Sequence, residues 1–139
     1  MYGRAALALL GLALLCGAAA RADEPRAYAC TFATGTTHSY DKGAFAAETV
    51  SPLSLSVSAI DLDAQTAVLQ TQRGTGQLRV VQAVNALHFL EVVTEGYLAI
   101  TTIYDKDEAK GTYPAVHSRH YGVLGQPIVT QYQGTCEGK

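Results

Sequence analysis

The chain has no tryptophan, one methionine, one asparagine and three cysteines, and only 16% of its 139 residues are charged. Each shortage excludes something. The lone asparagine, Asn85, is followed by Ala86 and Leu87, so there is no N-glycosylation sequon, which suits a bacterial periplasm better than a eukaryotic secretory route. The 10 basic and 12 acidic residues are scattered rather than gathered in blocks. Nucleic acid and anionic membrane surfaces are therefore not expected partners. Gly-x-Ser-x-Gly, His-Glu-x-x-His and a phosphate-cradling glycine loop are all missing, since Gly74-Thr75-Gly76 lacks the rest of such a loop. The stretches Asp61-x-Asp63-x-Gln65 and Asp105-x-Asp107-Glu108 lack the loop glycine and terminal glutamate of a calcium hand and read as turns. No metal and no cofactor is expected.

The one long apolar run lies at the N-terminus. Arg4 precedes an apolar stretch from Ala5 to Leu15, small residues follow from Gly17 to Ala20, and Ala20-Arg21-Ala22 precedes Asp23. That order is the order of a secretory leader with an Ala-x-Ala cleavage site. Residues 1–22 are read as a signal peptide and 23–139 as one mature domain in the periplasm. Ala5 to Ala20 is 16 residues, short of the ~18 to 20 that a membrane span needs, and no stable span is expected. Cys16 after Leu12-Ala13-Leu14-Leu15 offers an alternative, a lipid anchor. Against it stands Leu15, large where a lipobox carries a small residue.

Without the leader the chain keeps 117 residues, enough for a single buried core, and loses Arg4 and Arg21, which takes its net charge to −4. Cys16 goes too. Cys30 and Cys136 then form an even pair in an exported small domain, which reads as a disulfide tying the first strand to the last. Closing so long a loop is worth on the order of 4 to 5 kcal/mol in the chain-entropy model.

The hydrophobic period is two. Leu53, Leu55, Val57 and Ala59 alternate with Ser54, Ser56 and Ser58, the pattern of a strand with one face in a core and one in water. Similar runs rich in threonine, valine and tyrosine recur at 27–33, 66–71, 78–84, 87–93, 97–104, 113–121 and 128–136. Turn signals separate them at 41–43, 61–63, 73–76, 84–86, 94–96, 105–111 and 122–127. Only 44–50 and 105–109 have the composition for a helical turn, and both are short. The expected fold is all-β: one antiparallel meander of about eight strands closed into a small barrel, because closure removes the exposed edges. In an open sheet Cys30 and Cys136 would lie about seven strand spacings of ~4.8 Å apart, beyond bridging distance. A β-sandwich is the alternative.

Tyr28-Ala29-Cys30-Thr31 on the first strand, the late Cys136 and the exported small β-domain resemble the small periplasmic β-barrels of Gram-negative bacteria, including C-type lysozyme inhibitors and lipocalin-like modules. The resemblance covers the whole mature chain at the level of architecture and implies a barrel that binds or inhibits. The inhibitors' Ser-Gly-x-x-Tyr loop and Tyr-x-x-x-Thr-Lys-Gly segment are absent, so no inhibitory residue carries over. Residues 115–120 also resemble part of a group of small secreted bacterial proteins, a likeness that implies no function.

Chemistry concentrates at Ala115-Val116-His117-Ser118-Arg119-His120-Tyr121. On a strand His117, Arg119 and Tyr121 share one face, Ser118 and His120 the other, so the two rings diverge and no ligand set for a metal forms. The plain reading is a solvated strand with one inward polar residue. The sharper reading makes His117, Arg119 and Tyr121 the ligand-binding residues. Facing a lumen they suit a small anionic ligand; facing outward, Arg119 with Tyr113, Tyr121 and Tyr132 makes a patch for an acidic protein surface. His88, grouped by parity with Leu90 and Val92, is expected in the core on a backbone carbonyl, and His38 near the first turn is expected to be exposed.

Two function classes follow: an exported binding or inhibitor-type barrel module, or a small periplasmic enzyme using His117 or His120 as acid/base with Arg119 as anion binder. No catalytic nucleophile, carboxylate pair or metal set is apparent, which favours binding. An intact-mass measurement on the exported protein without reductant should give a chain that starts at Asp23 and is two hydrogens lighter than its reduced form. A mass that retains the leader, carries lipid on Cys16, or shows two free thiols would overturn these assignments.

Overall fold

Period-two runs of β-branched and aromatic residues become nine antiparallel strands: β1 (Tyr28–Asp41), β2 (Ala44–Thr49), β3 (Leu53–Asp61), β4 (Thr66–Thr71), β5 (Gly74–Gln82), β6 (Ala86–Thr94), β7 (Tyr97–Tyr104), β8 (Tyr113–Val123) and β9 (Gln126–Gly138). The structure, a computed structural model, describes residues 24–94, 97–123 and 125–139. The expected leader at 1–22 with Cys16 and its cleavage site lies outside the described residues, as do Glu95, Gly96 and Leu124 within two expected turns. No helix occurs among the described residues, and none is long and apolar enough to cross a membrane.

Eight of the strands form a closed barrel in the order β1-β3-β4-β5-β6-β7-β8-β9, with β9 returning to β1. The first strand is long enough to serve three partners. It pairs with β9 from Tyr28 to Ser39, with β3 from Tyr28 to Phe32 and with β2 from Thr36 to Asp41. The ninth strand, β2, thus extends the wall beyond the barrel proper. Residues 44–50, which have the composition for a helical turn, form this strand and its exit. The reason is local: Lys42 and Gly43 at φ 49° and 85° make a two-residue turn with both central residues in the left-handed region, and that turn folds the following residues straight back onto β1.

Cys30 and Cys136 face each other across the β1–β9 pair and are bridged, 106 positions apart in sequence. Around the bridge the inward residues Tyr28, Phe32, Leu55, Val57, Val80 and Phe89 form the core. Full burial of a side chain of this size contributes roughly 1.5 to 3 kcal/mol. Tyr28 meets Tyr113 edge to face at 5.1 Å and closes one end; burial, and then Tyr113, push its phenol up to about 12.

Two bulges reset the alternation. In β1 one extra residue lies between Thr31 and Thr34, so Tyr28, Cys30 and Phe32 point inward before it and Gly35 after it. In β3 the extra residue lies between Ser58 and Asp61, with Ala59 at φ 49°. Ala59 is therefore exposed rather than aligned with Leu53, Leu55 and Val57, and Ile60 packs against the core in its place. Period-two reading fails there because a bulge inserts a residue without changing composition. The turn expected at 73–76 is also tighter: Gln72 and Arg73 alone reverse the chain, held by Thr71 Oγ1, which accepts from Arg73 N at 3.1 Å. At 105–112 Asp107 O accepts from Lys110 N and Gly111 N at 3.1 and 2.7 Å, one helical-type turn and no more. Asp61 and Asp107 serve their turns as caps, Asp61 Oδ1 accepting from Ala64 N at 2.8 Å and Asp107 Oδ1 from Ala109 N at 3.1 Å.

Gly134 of β9 lies directly against the backbone of β1. A Cβ there would collide with the Thr31 carbonyl and lie 2.7 Å from Phe32 Cα, at the bulge of β1. Gly134→Ala should cost about 2 to 3 kcal/mol in urea denaturation, the upper part of the range for overpacking against backbone. Unchanged stability would show that the bulge can shift at no cost.

Candidate functional site

Inward positions on the last strands stack in rows across the ladder. Ile103, Ala115 and Gly134 form one row, Thr101, His117 and Tyr132 the next, Ala99, Arg119 and Thr130 a third, and Tyr97 with Tyr121 a fourth. The rows rise from the apolar end toward the open one. His117, Arg119 and Tyr121 therefore face the lumen together, and all three line a cavity of about 900 Å³. The outward alternative, an aromatic-cationic surface patch, is corrected: Tyr132 is buried beside His117, and Tyr113 sits against Tyr28 at the other end. Exposed Gln72 and Arg73 of the β4–β5 turn and Ser51 and Pro52 before β3 form the rim.

His117 is only 2% exposed. Its surroundings define its tautomer. Arg119 Nε donates to His117 Nε2 at 3.0 Å, and a guanidinium can only donate, so Nε2 is the bare nitrogen. The proton is on Nδ1, which donates to Thr101 Oγ1 at 2.8 Å. Burial first, then the Arg119 charge, push the imidazole down to about 4. A neutral histidine thus holds the cation in place without cancelling its charge. The guanidinium also lies over the Tyr132 ring, 5.6 Å from its centroid, a cation–π contact that leaves the charge available.

Arg119 is half-buried and, among the described residues, has no carboxylate in ion-pair contact; the ion pairs there are Lys106 with Glu108 and Lys139 with Glu137, both on the surface. Aromatic walls surround it. Tyr97 and Tyr121 are 5.0 Å apart between ring centroids, and burial raises the Tyr97 phenol. The reading of the chain missed Glu91, a carboxylate inside the same cavity. It shares a face with Leu87 and Phe89, which are buried, whereas the face expected in the core is the opposite one, with His88 and Leu90. Burial pushes the Glu91 carboxyl up, and Arg119 pulls it partly back.

The other histidines lie elsewhere. His120 is exposed on the outer face, opposite Leu98 and Val129. His88 shares its side with Leu90, but that side is the outside of the barrel: its Nδ1 bonds to the Thr102 hydroxyl at 2.9 Å rather than to a core carbonyl. His38 is half-buried because β1 continues through it, between Ala47 and Val129. Thr130, also buried, donates to Thr37 Oγ1 at 2.9 Å.

No protein-family model matches the chain, and neither the search of curated proteins nor that of solved structures finds a match.

The buried neutral histidine makes stability depend on pH with a definite sign. Above about pH 6.5 His117 is neutral in both folded and unfolded chains and nothing is lost; between there and about pH 4 only the unfolded chain takes up the proton. Folding should weaken over that window by up to about 3 kcal/mol. Denaturant titrations at pH 7 and pH 4 should show a smaller acid loss for His117→Gln than for the parent. Equal losses would assign the acid sensitivity to other groups.

Proposed function

We propose that this protein is an exported ligand-binding barrel that holds the anionic group of a small amphipathic molecule on Arg119, inside the lumen. One observation carries the reading: a half-buried guanidinium oriented by a neutral histidine and facing a cavity of about 900 Å³. Desolvating a guanidinium is costly unless it is paired. Here its hydrogen-bond partner is an imidazole that contributes no negative charge, so an incoming carboxylate or phosphate finds the charge intact and its geometry already organised. His117 and Tyr132 orient the group, and Tyr97 and Tyr121 offer apolar surface to the body of the ligand. A cavity of this size suits one small molecule.

Several features support binding over the alternative of a small enzyme. Both ring nitrogens of His117 are engaged, its proton affinity is low, and His120 is on the other side of the sheet, so the two cannot act on one substrate. An acidic protein surface is a poorer partner for a cation within a lumen than a small molecule is. Export to the periplasm belongs to the proposal, supported by the leader-like N-terminus and the buried bridge between Cys30 and Cys136. The resemblance to small exported barrels that bind or inhibit points the same way.

Fluorescence titration with 8-anilinonaphthalene-1-sulfonate, an aromatic anion that fits such a lumen, should give saturable binding to the native protein. Arg119→Ala should weaken it roughly 5- to 150-fold, the equivalent of about 1 to 3 kcal/mol for one charge-assisted hydrogen-bonded contact, while Tm stays nearly unchanged. Equal affinity in parent and variant would remove Arg119 from the site.

A further inference from the structure

Glu91 and Arg119 occupy the same inward row, on β6 and β8, with Ala99 of β7 between them. At ~4.8 Å per strand their backbones are roughly 10 Å apart. The residue between them in the row contributes only a methyl group. Gly76 opens the space on the other side of the glutamate, where a Cβ would lie 2.5 Å from Glu91 Oε1. The barrel therefore seats a carboxylate and a guanidinium on one cavity with room between them, and among the described residues the two are not in ion-pair contact and Glu91 makes no side-chain hydrogen bond.

From this juxtaposition we infer that the ligand is a zwitterion of the amino-acid type, its carboxylate on Arg119, its ammonium on Glu91 and its apolar side chain against Tyr97 and Tyr121. The inference rests on the proposed lumen site and narrows its ligand class. A purely anionic ligand would bring its charge close to Glu91 as well as to Arg119, and in a partly desolvated cavity that repulsion is weakly screened. A molecule carrying an amine beside its acid satisfies both groups. Two opposite charges held apart in such a place are each short of a partner, and a single bipolar ligand supplies both partners at once.

Isothermal titration with free phenylalanine, leucine and tyrosine, and with their N-acetyl derivatives, tests this on the intact protein. The parent should prefer the free amino acids by roughly tenfold or more, the scale of one charge-assisted hydrogen bond. Glu91→Gln, with its fold checked by circular dichroism and Tm, should bring that preference close to unity, and Arg119→Ala should weaken both series. Binding of both series with no preference in the parent, or a preference that survives Glu91→Gln, would overturn the zwitterion inference and leave Arg119 as an anion site. If neither series nor the anilinonaphthalene probe binds, the lumen site itself falls.

Discussion

Everything about this molecule depends on the pairing of β1 with β9. Without it the other strands would form an open, twisted sheet, and the face of β8 that carries His117 and Arg119 would meet water. With it the same face lines a lumen. The pairing is built from sequence-distant parts: a disulfide between directly opposed residues, a glycine whose missing side chain leaves room for the β1 backbone, and a bulge in β1 that lets both Phe32 and Gly35 point inward. Closure also removes the two edges that a meander would otherwise expose to association.

The interior is divided along its axis. Toward the end sealed by Tyr28 and Tyr113 the rows are apolar, supplied by Leu87, Ile103 and Ala115; toward the other end the rows gain Thr101, His117, Arg119 and Glu91. The apolar rows hold the barrel together. In the polar rows Thr101, His117 and Arg119 bond to one another, and among the described residues no fully buried side-chain nitrogen or oxygen lacks a partner, whereas half-buried Glu91 has none. The His117 imidazole joins the two regimes. It is buried with the core and ranks with Phe32 and Tyr132 as an aromatic packing group, yet its bare nitrogen determines where the guanidinium lies.

Much of this was legible from residues alone, and the reasons are specific. Eight period-two runs between turn signals, with one cysteine in the first and one in the last, imply an all-β chain whose ends meet. The alternation at 115–121 places His117 with Arg119 and Tyr121 and separates both from His120, because side chains on a strand point to opposite faces in turn. The strand β2 was not legible: Ala44-Phe45-Ala46-Ala47 has no alternation, and its conformation follows from the turn before it and from the free edge of β1. The bulge at Ala59 was not legible either, since one inserted residue leaves composition and propensity unchanged.

The sequence by itself determined a pleated, disulfide-closed β-domain and the set of side chains that share each face, because both follow from period, turn chemistry and cysteine count along the chain. Which of those faces looks inward was a tertiary decision. It depends on closure between residues 106 positions apart and on the register of that closure, and a one-residue slip would exchange inside for outside. The same decision moved His88 from an expected core position to the outer wall, brought Glu91 into a cavity with Arg119, and lowered the proton affinity of His117, whose burial exists only once the barrel has shut.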